Sequence, residues 1–269
     1  MHQDTKTADS FANSWNNLPL GSIYTQEQFE DWFLPLSKKD IESKNILELG
    51  CGNGSLLVHI TSWKPESITG VDLGDSIISC TKNMQETGFE NFQIIKSDLV
   101  TFRSEEKFDL CYCIGVLHHL KDPYKGFESV INNTKSGGHF HCWVYAKEGN
   151  ALVIYLVEPI RKIAYRLPWW FNKYLVATPL AFIYYLYAHL IVFLNLSIAP
   201  LYEYSKWISK RGFLFFRHVA FDQLVTPQTT FIDKKTIEKW VESFNNIDTD
   251  STYIIFRNGN SWKFGGKIT

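Results

Sequence analysis

The sequence predicts an α/β chain: a seven-stranded, mostly parallel sheet with an antiparallel C-terminal hairpin, plus an α-helical insertion. Three observations carry that prediction. From Asn45 onward, short β-rich runs alternate with segments of helical period, the pattern of βαβ units. The alternation breaks between residues 147 and 233, where aromatic and aliphatic side chains concentrate. The tail holds two β runs joined by Asn258-Gly259-Asn260, and Asn-Gly between such runs is a strong hairpin signal.

The first strand covers residues 45–49 and runs into Gly50-Cys51-Gly52-Asn53-Gly54, followed by a helical stretch over 55–62. Residues 68–72 make the second strand and 75–87 the next helix, which Gly88 stops. Strands three and four fall at 92–96 and 108–114, separated by the charged stretch 103–107. Pro123 suits the first turn of a helix reaching Asn133. Ser136-Gly137-Gly138 then turns the chain into a fifth strand over 139–145. After the insertion, an amphipathic helix over 234–244 leads to strands at 248–257 and 261–267. The expected division is an N-terminal helical cap (1–44), a core (45–146), a hydrophobic helical lid (147–233) and a tail completing the core sheet (234–269).

Composition narrows the functional classes. A hydrophobic content of 45% in 269 residues is ample for a buried core. Lysine plus arginine (27) nearly cancel aspartate plus glutamate (28), so no global field recruits phosphates and no nucleic-acid partner is expected. The five cysteines are odd in number and form no Cys-x-x-Cys pair, which argues for reduced thiols rather than a disulfide framework or zinc knuckle. Cys111 and Cys113 share one strand face and read as buried filler. Residues 1–17 are polar and lack the apolar core of a secretory signal, so a cytoplasmic location is expected.

The loop at Gly50 carries the chemistry. Its glycines permit positive φ and let a ligand lie against bare backbone. The spacing is G-x-G-x-G rather than G-x-G-x-x-G, and Glu48 precedes it. A carboxylate there repels a diphosphate but suits a ligand bearing an ammonium and a sulfonium. Asp72 ends the second strand at the separation where a ribose-binding acid is expected. Asp98 follows the third strand, placed to accept from an adenine amino group, with the Leu99 N–H donating to the ring.

This set resembles the class I S-adenosylmethionine-dependent methyltransferases of the small-molecule, Rossmann-like type. The matching residues are ILELGCGNG (46–54), GVD (70–72), Ser97-Asp98, FDLCYCIGVLHHL (108–120) and SGGHFHCWVY (136–145). The resemblance implies S-adenosylmethionine as cofactor, S-adenosylhomocysteine as product, and no metal. It places Glu48, Gly50, Cys51 and Gly52 around the methionine moiety, Asp72 and Leu73 at the ribose, and Asp98 and Leu99 at the adenine. Ile114, Gly115 and Val116 fall at the edge of the methyl-transfer site. Trp15 and Tyr24 belong to a segment that in relatives folds over the cofactor, which would bring Tyr24 to the methionine carboxylate.

Transfer in this family is an in-line displacement, so the protein must align the nucleophile and, where that nucleophile carries a proton, supply a base. His119 and His118 follow the fourth strand, and a histidine there suits that role near neutral pH. Adjacent residues diverge, so one of the two is expected to face the cleft. His141, Trp143 and Tyr145 share a strand face and read chiefly as filler.

The run from Tyr174 to Tyr202 has no charged residue and is long enough to cross a bilayer. A single crossing would separate two halves of one sheet. Pro179, His189, Asn195 and Pro200 also interrupt the run, so a pair of helices forming a lid is expected. Such a lid buries its apolar faces against the sheet, a second subunit in a homodimer, a greasy substrate or a membrane surface, and flanking basic residues suit peripheral membrane contact. The expected acceptor is a small molecule, apolar or lipid-linked, such as a glycan intermediate. Glu158, Arg161, His218 and Asp222 are placed to orient it. The rival readings are a non-catalytic scaffold that keeps the cofactor cleft and an RNA or protein methyltransferase; a base-modifying enzyme would usually show Asn/Asp-Pro-Pro after the fourth strand, where this chain reads Ile114-Gly115-Val116-Leu117.

Overall fold

Seven strands form one sheet in the order β3-β2-β1-β4-β5-β7-β6. A computed structural model describes residues 24–269 together with Thr5, Thr7 and Ala8; Trp15 lies outside the described residues. The parallel strands are β1 (Asn45–Leu49), β2 (Ser67–Asp72), β3 (Phe92–Lys96), β4 (Phe108–Ile114) and β5 (Thr134–Tyr145). Strands β6 (Ile247–Arg257) and β7 (Ser261–Ile268) close the far edge antiparallel. This is the Rossmann-like sheet with a C-terminal hairpin that the alternation and the Asn-Gly turn predict.

The helices follow their local signals. Helix α1 (Gln26–Phe33) starts at a capping box in which Thr25 accepts from the Gln28 N–H and Gln28 reaches back. Helix α2 is short (Leu57–Ile60), α3 spans Ser76–Glu86, and α4 (Pro123–Asn133) begins with Asp122 as N-cap and Pro123 in its first turn. The two faces of the sheet bury separate cores. One gathers Leu47, Cys111, Cys113, Phe127, Phe140 and Phe264; the other gathers Phe29, Phe33, Ile46, Leu57, Leu110 and Tyr112.

The start of the fifth strand differs from expectation. Strand β5 begins at Thr134, because Ser136-Gly137-Gly138 is not a turn outside the sheet but a bulge within it: Phe108 pairs with Thr134, yet Leu110 already pairs with His139. Strand β6 carries a similar irregularity between Asp248 and Tyr253.

The insertion leaves after Ala146 and returns at Ile232, and these two residues bridge in parallel register. It contains α5 (Glu158–Ala164), a long helix α6 (Trp169–Phe193), α7 (Tyr202–Ile208) and α8 (Phe213–Val225). Helix α9 (Lys234–Glu242), capped by Asp233, then leads into β6. Pro179 does not break the apolar run, contrary to expectation. The turn before it, Asn172–Ala177, is widened to π geometry, and the Lys173 carbonyl accepts from the Thr178 N–H and also, at 2.8 Å, from the Thr178 hydroxyl. The same device, Val153–Val157, precedes Pro159. Helix α6 is, among the described residues, the one helix long and apolar enough to cross a membrane, and 22% of its most apolar window is buried.

Candidate active site

Strands β1 and β4 lie side by side where the strand order reverses, so their C-terminal ends open a cleft. The chain leaves β1 at Gly50 with φ of +85°, and a Cβ there would meet Val116 Cγ2 at 2.5 Å. Glycine alone satisfies both demands. The Gly50 and Cys51 N–H groups both donate to the Val71 carbonyl, at 2.7 and 3.0 Å, which fastens the loop to β2.

Asp72 has a structural task that the sequence did not reveal. Its Oδ2 accepts from the Gly52 N–H at 2.9 Å, while Oδ1 accepts from the Gly74 N–H at 2.8 Å and the Ser76 hydroxyl at 3.3 Å. It thus clamps the glycine loop, with one lone pair, on Oδ2, still available to a ligand. Burial pushes its pKa up, and the bonds from Gly74 and Gly52 oppose that rise. Glu48 is 2% exposed and accepts from the Tyr112 hydroxyl at 3.0 Å. Burial raises its carboxyl to about 8, with the Tyr112 bond opposing. A carboxyl held there lowers its energy greatly when a cation arrives.

A cavity of about 690 Å³ runs from these strand tips into the insertion. Glu48, Gly50, Cys51, Gly52, Asp72 and Leu73 line its floor, with Asp98 and Leu99 beyond β3 and Ile114 and Gly115 at the end of β4. Tyr24 lines it from the segment before α1, packed edge-on against Trp32 with ring centroids 4.5 Å apart. Asp98 Oδ1 accepts from the Val100 N–H at 2.9 Å.

The two histidines part company. His119 lines the cavity; its Nδ1 donates to the Gln228 carbonyl at 3.0 Å, a tautomer that puts the ring lone pair on Nε2. Burial lowers its pKa to about 4, so the ring is neutral at physiological pH. His118 lies behind it, fully buried and off the cavity wall, with neither ring nitrogen hydrogen-bonded among the described residues. Its ring packs 4.1 Å from those of His119 and Tyr145.

The face of β5 divides in the same way. His141 is structural, bridging the Tyr253 hydroxyl at 2.6 Å and the Trp32 carbonyl at 2.9 Å. Trp143 and Tyr145, expected mainly as filler, line the cavity instead, because the insertion covers that end of the strand without filling it. Gln223 donates to the Tyr145 hydroxyl at 2.7 Å from a helix 78 residues downstream, a contact with no sequence signal.

Of the polar insertion residues, Glu158 and Arg161 are taken by each other. Arg161 donates to both carboxylate oxygens of Glu158, and also to the Thr226 carbonyl at 2.7 Å, which ties α5 to the end of α8. His218 and Asp222 line the cavity, 3.1 Å apart. The remaining insertion lining is largely apolar, including Val153, Ile160, Leu180, Tyr184, Phe215 and Val219. Among the described residues, no group of three or more His, Cys, Asp and Glu is placed to hold a metal ion.

Comparison with known proteins bears on the fold and the family. Residues 22–177, more than half of the chain, match the family model described as a methyltransferase domain. The chain belongs to the class I S-adenosylmethionine-dependent methyltransferase family. A tRNA U34 carboxymethyltransferase from Nautilia profundicola is 31% identical over 119 residues, 41% of this chain and 37% of that protein. A ubiquinone biosynthesis O-methyltransferase from Stutzerimonas stutzeri is 26% identical over 100 residues, 36% of this chain and 43% of that protein. The chain thus spans well under half the length of these curated relatives. A solved magnesium protoporphyrin IX methyltransferase from Synechocystis PCC 6803, with bound S-adenosylhomocysteine, has a TM-score of 0.54 at 12% identity. That fold likeness covers 97% of this chain and 93% of the other, insertion included.

Proposed function

We propose that this methyltransferase moves a methyl group from S-adenosylmethionine to a small apolar or lipid-linked acceptor held in the cavity beneath the insertion. One observation carries the reading: a single cavity joins the acid-and-glycine strand tips to an apolar chamber lined by the insertion. The donor set fits a cationic nucleoside. Glu48 neutralises an ammonium, the turn at Gly50 admits a ligand against backbone, Asp72 accepts from a ribose hydroxyl, and Asp98 with Leu99 brackets an adenine edge. When bound, the cofactor supplies an electrophilic methyl on a sulfonium.

The acceptor end is the work of His119, Trp143, Tyr145 and Asp222. His119 Nε2 receives a hydrogen bond from an acceptor hydroxyl and takes its proton as the oxygen gains the methyl. Its low pKa keeps it unprotonated before each turnover and unable to retain the proton afterwards. The insertion walls exclude water and bury the acceptor's apolar part, which supplies orientation and binding energy. His118 has no part in the transfer in this reading. Its packing behind His119 holds that ring in place.

The test is transfer of label from [methyl-³H]S-adenosylmethionine to a lipid extract, separated from an aqueous small-molecule fraction and from tRNA. Label in the organic phase, lost in His119→Ala, is expected. Label in tRNA contradicts the acceptor class, and cofactor binding with no transfer to any fraction contradicts the catalytic reading in favour of a scaffold.

A further inference from the structure

Helix α6 inverts the arrangement of an ordinary surface helix. Toward the protein it turns small residues, Ala177, Ala181 and Ala188, each at most 1% exposed. Outward it turns Leu175, Phe182, Leu186, Leu190 and Phe193, all more than half exposed and spaced as one helical face. Lys173 is the one Lys, Arg, Asp or Glu in its 25 residues. Small residues inside and large apolar residues outside is the pattern of helices whose surroundings are lipid. The apolar surface continues beyond the helix through Leu194, Leu196 and Ile198, the last 97% exposed, and Tyr155 and Leu156 adjoin this turn. So large an exposed apolar area marks a contact surface.

Charge identifies the occupant. Between residues 150 and 225 there are eight Lys and Arg against three Asp and Glu, in a chain whose net charge is −1. Several of these cations lie over aromatic rings: Lys173 over Trp169 at 5.9 Å, Arg166 over Tyr165 at 5.2 Å, Arg211 over Trp207 at 5.5 Å. Trp and Tyr beside Lys and Arg, at the border of an apolar face, is how a protein seats at lipid headgroups. A second copy would bring two cationic surfaces together. Spanning is excluded by topology, because the chain returns to its own sheet at Ile232, and the 13 residues of α8 reach only about 20 Å.

We propose that the outward face of α6, with the turn that follows it, docks this chain onto an anionic bilayer, the helix lying in the headgroup plane. Leu156 and Ile183 line the cavity while being more than half exposed, so the cavity wall reaches the docked side. On the methyl-transfer reading, which docking itself does not require, an alkyl-tailed acceptor enters there without crossing water.

Flotation of the full chain with vesicles of phosphatidylcholine, alone or mixed with phosphatidylglycerol, tests this. Flotation is expected with the anionic vesicles, weakened by salt. Phe182→Glu/Leu186→Glu/Leu190→Glu is expected to reduce it by more than about tenfold, with S-adenosylhomocysteine binding retained as proof of folding. Lys162 and Lys210 are exposed cations of the insertion, and Lys162→Ser and Lys210→Ser are each expected to reduce it on the order of fivefold. No flotation with either vesicle overturns the proposal, as does flotation unaffected by the triple substitution. So does a wild-type dimer in light scattering that the triple substitution makes monomeric while vesicles leave it intact. Calorimetry with S-adenosylhomocysteine reports on the cofactor site separately, so failure of docking and failure of the methyl-transfer reading are told apart.

Discussion

Glu48 is where stability and binding pull in opposite directions. Its folded pKa of about 8 lies above the ordinary glutamate value of 4.5, so between those limits the folded chain holds a proton that the unfolded chain has released. Stability contributed by this group therefore falls as pH rises through that window. Glu48→Gln removes the effect and keeps the shape, so it should raise Tm by a few degrees near pH 8. The same substitution should weaken S-adenosylhomocysteine binding about tenfold or more, since a buried charged hydrogen-bond partner is lost. Binding of a cation draws the Glu48 proton off, so calorimetry at pH 7 in buffers of different ionisation enthalpy should show proton release. No proton release would mean that the ammonium lies elsewhere.

His119 makes a second prediction at this scale. His119→Ala should lower kcat by about 10²-fold or more while leaving cofactor affinity unchanged. Because burial holds the ring near 4, the rate should show no histidine inflection between pH 5.5 and 8, in contrast to an exposed base near 6.5. A pH profile with an inflection near 6.5 that His119→Ala abolishes would contradict this environment for the ring.

Helix α6 and the loop after β1 show what each kind of element demands. Ala188 is fully buried within a packed cluster with Ile208 and Phe216 and lies off the cavity wall, so Ala188→Leu should overfill that contact and cost about 1–3 kcal/mol in thermal unfolding. A cost near zero would mean that the insertion helices are loosely packed. The core strands were legible because alternation of short apolar runs and helical periods is a local property, and the Asn258-Gly259 turn is written in two residues. The glycine loop, Asp72 and Asp98 were legible because each ends a strand. The π turns ahead of Pro159 and Pro179 were not, since proline reads as a breaker unless a neighbouring turn widens to receive it. The bulge at Ser136-Gly137-Gly138 was likewise hidden, because glycine pairs signal turns and bulges alike. Cavity membership of Trp143 and Tyr145, and the Gln223 bond, depend on where an insertion settles, which no local pattern encodes.

Across the whole molecule, the sheet supplies the floor of the cavity and the insertion supplies its roof. Long-range ties hold the two in register: Arg257, from the end of β6, donates to Asp31 of α1 at 2.8 Å and lies 5.4 Å over the ring of Trp207 in α7. The Lys263 ammonium donates to the Asp31 carbonyl at 2.6 Å. On the proposed function, the cofactor end is built from core strands, and acceptor choice falls to the insertion. On the same proposal, the acids and glycine turn at the tips of β1 and β2 grip S-adenosylmethionine. Titration calorimetry of the full chain with S-adenosylhomocysteine, beside Asp72→Asn and Glu48→Gln, tests this grip. Saturable one-to-one binding by the wild type, weakened by roughly 1–3 kcal/mol in each variant, is the expected result; no binding by the wild type, or equal binding by all three, contradicts the site.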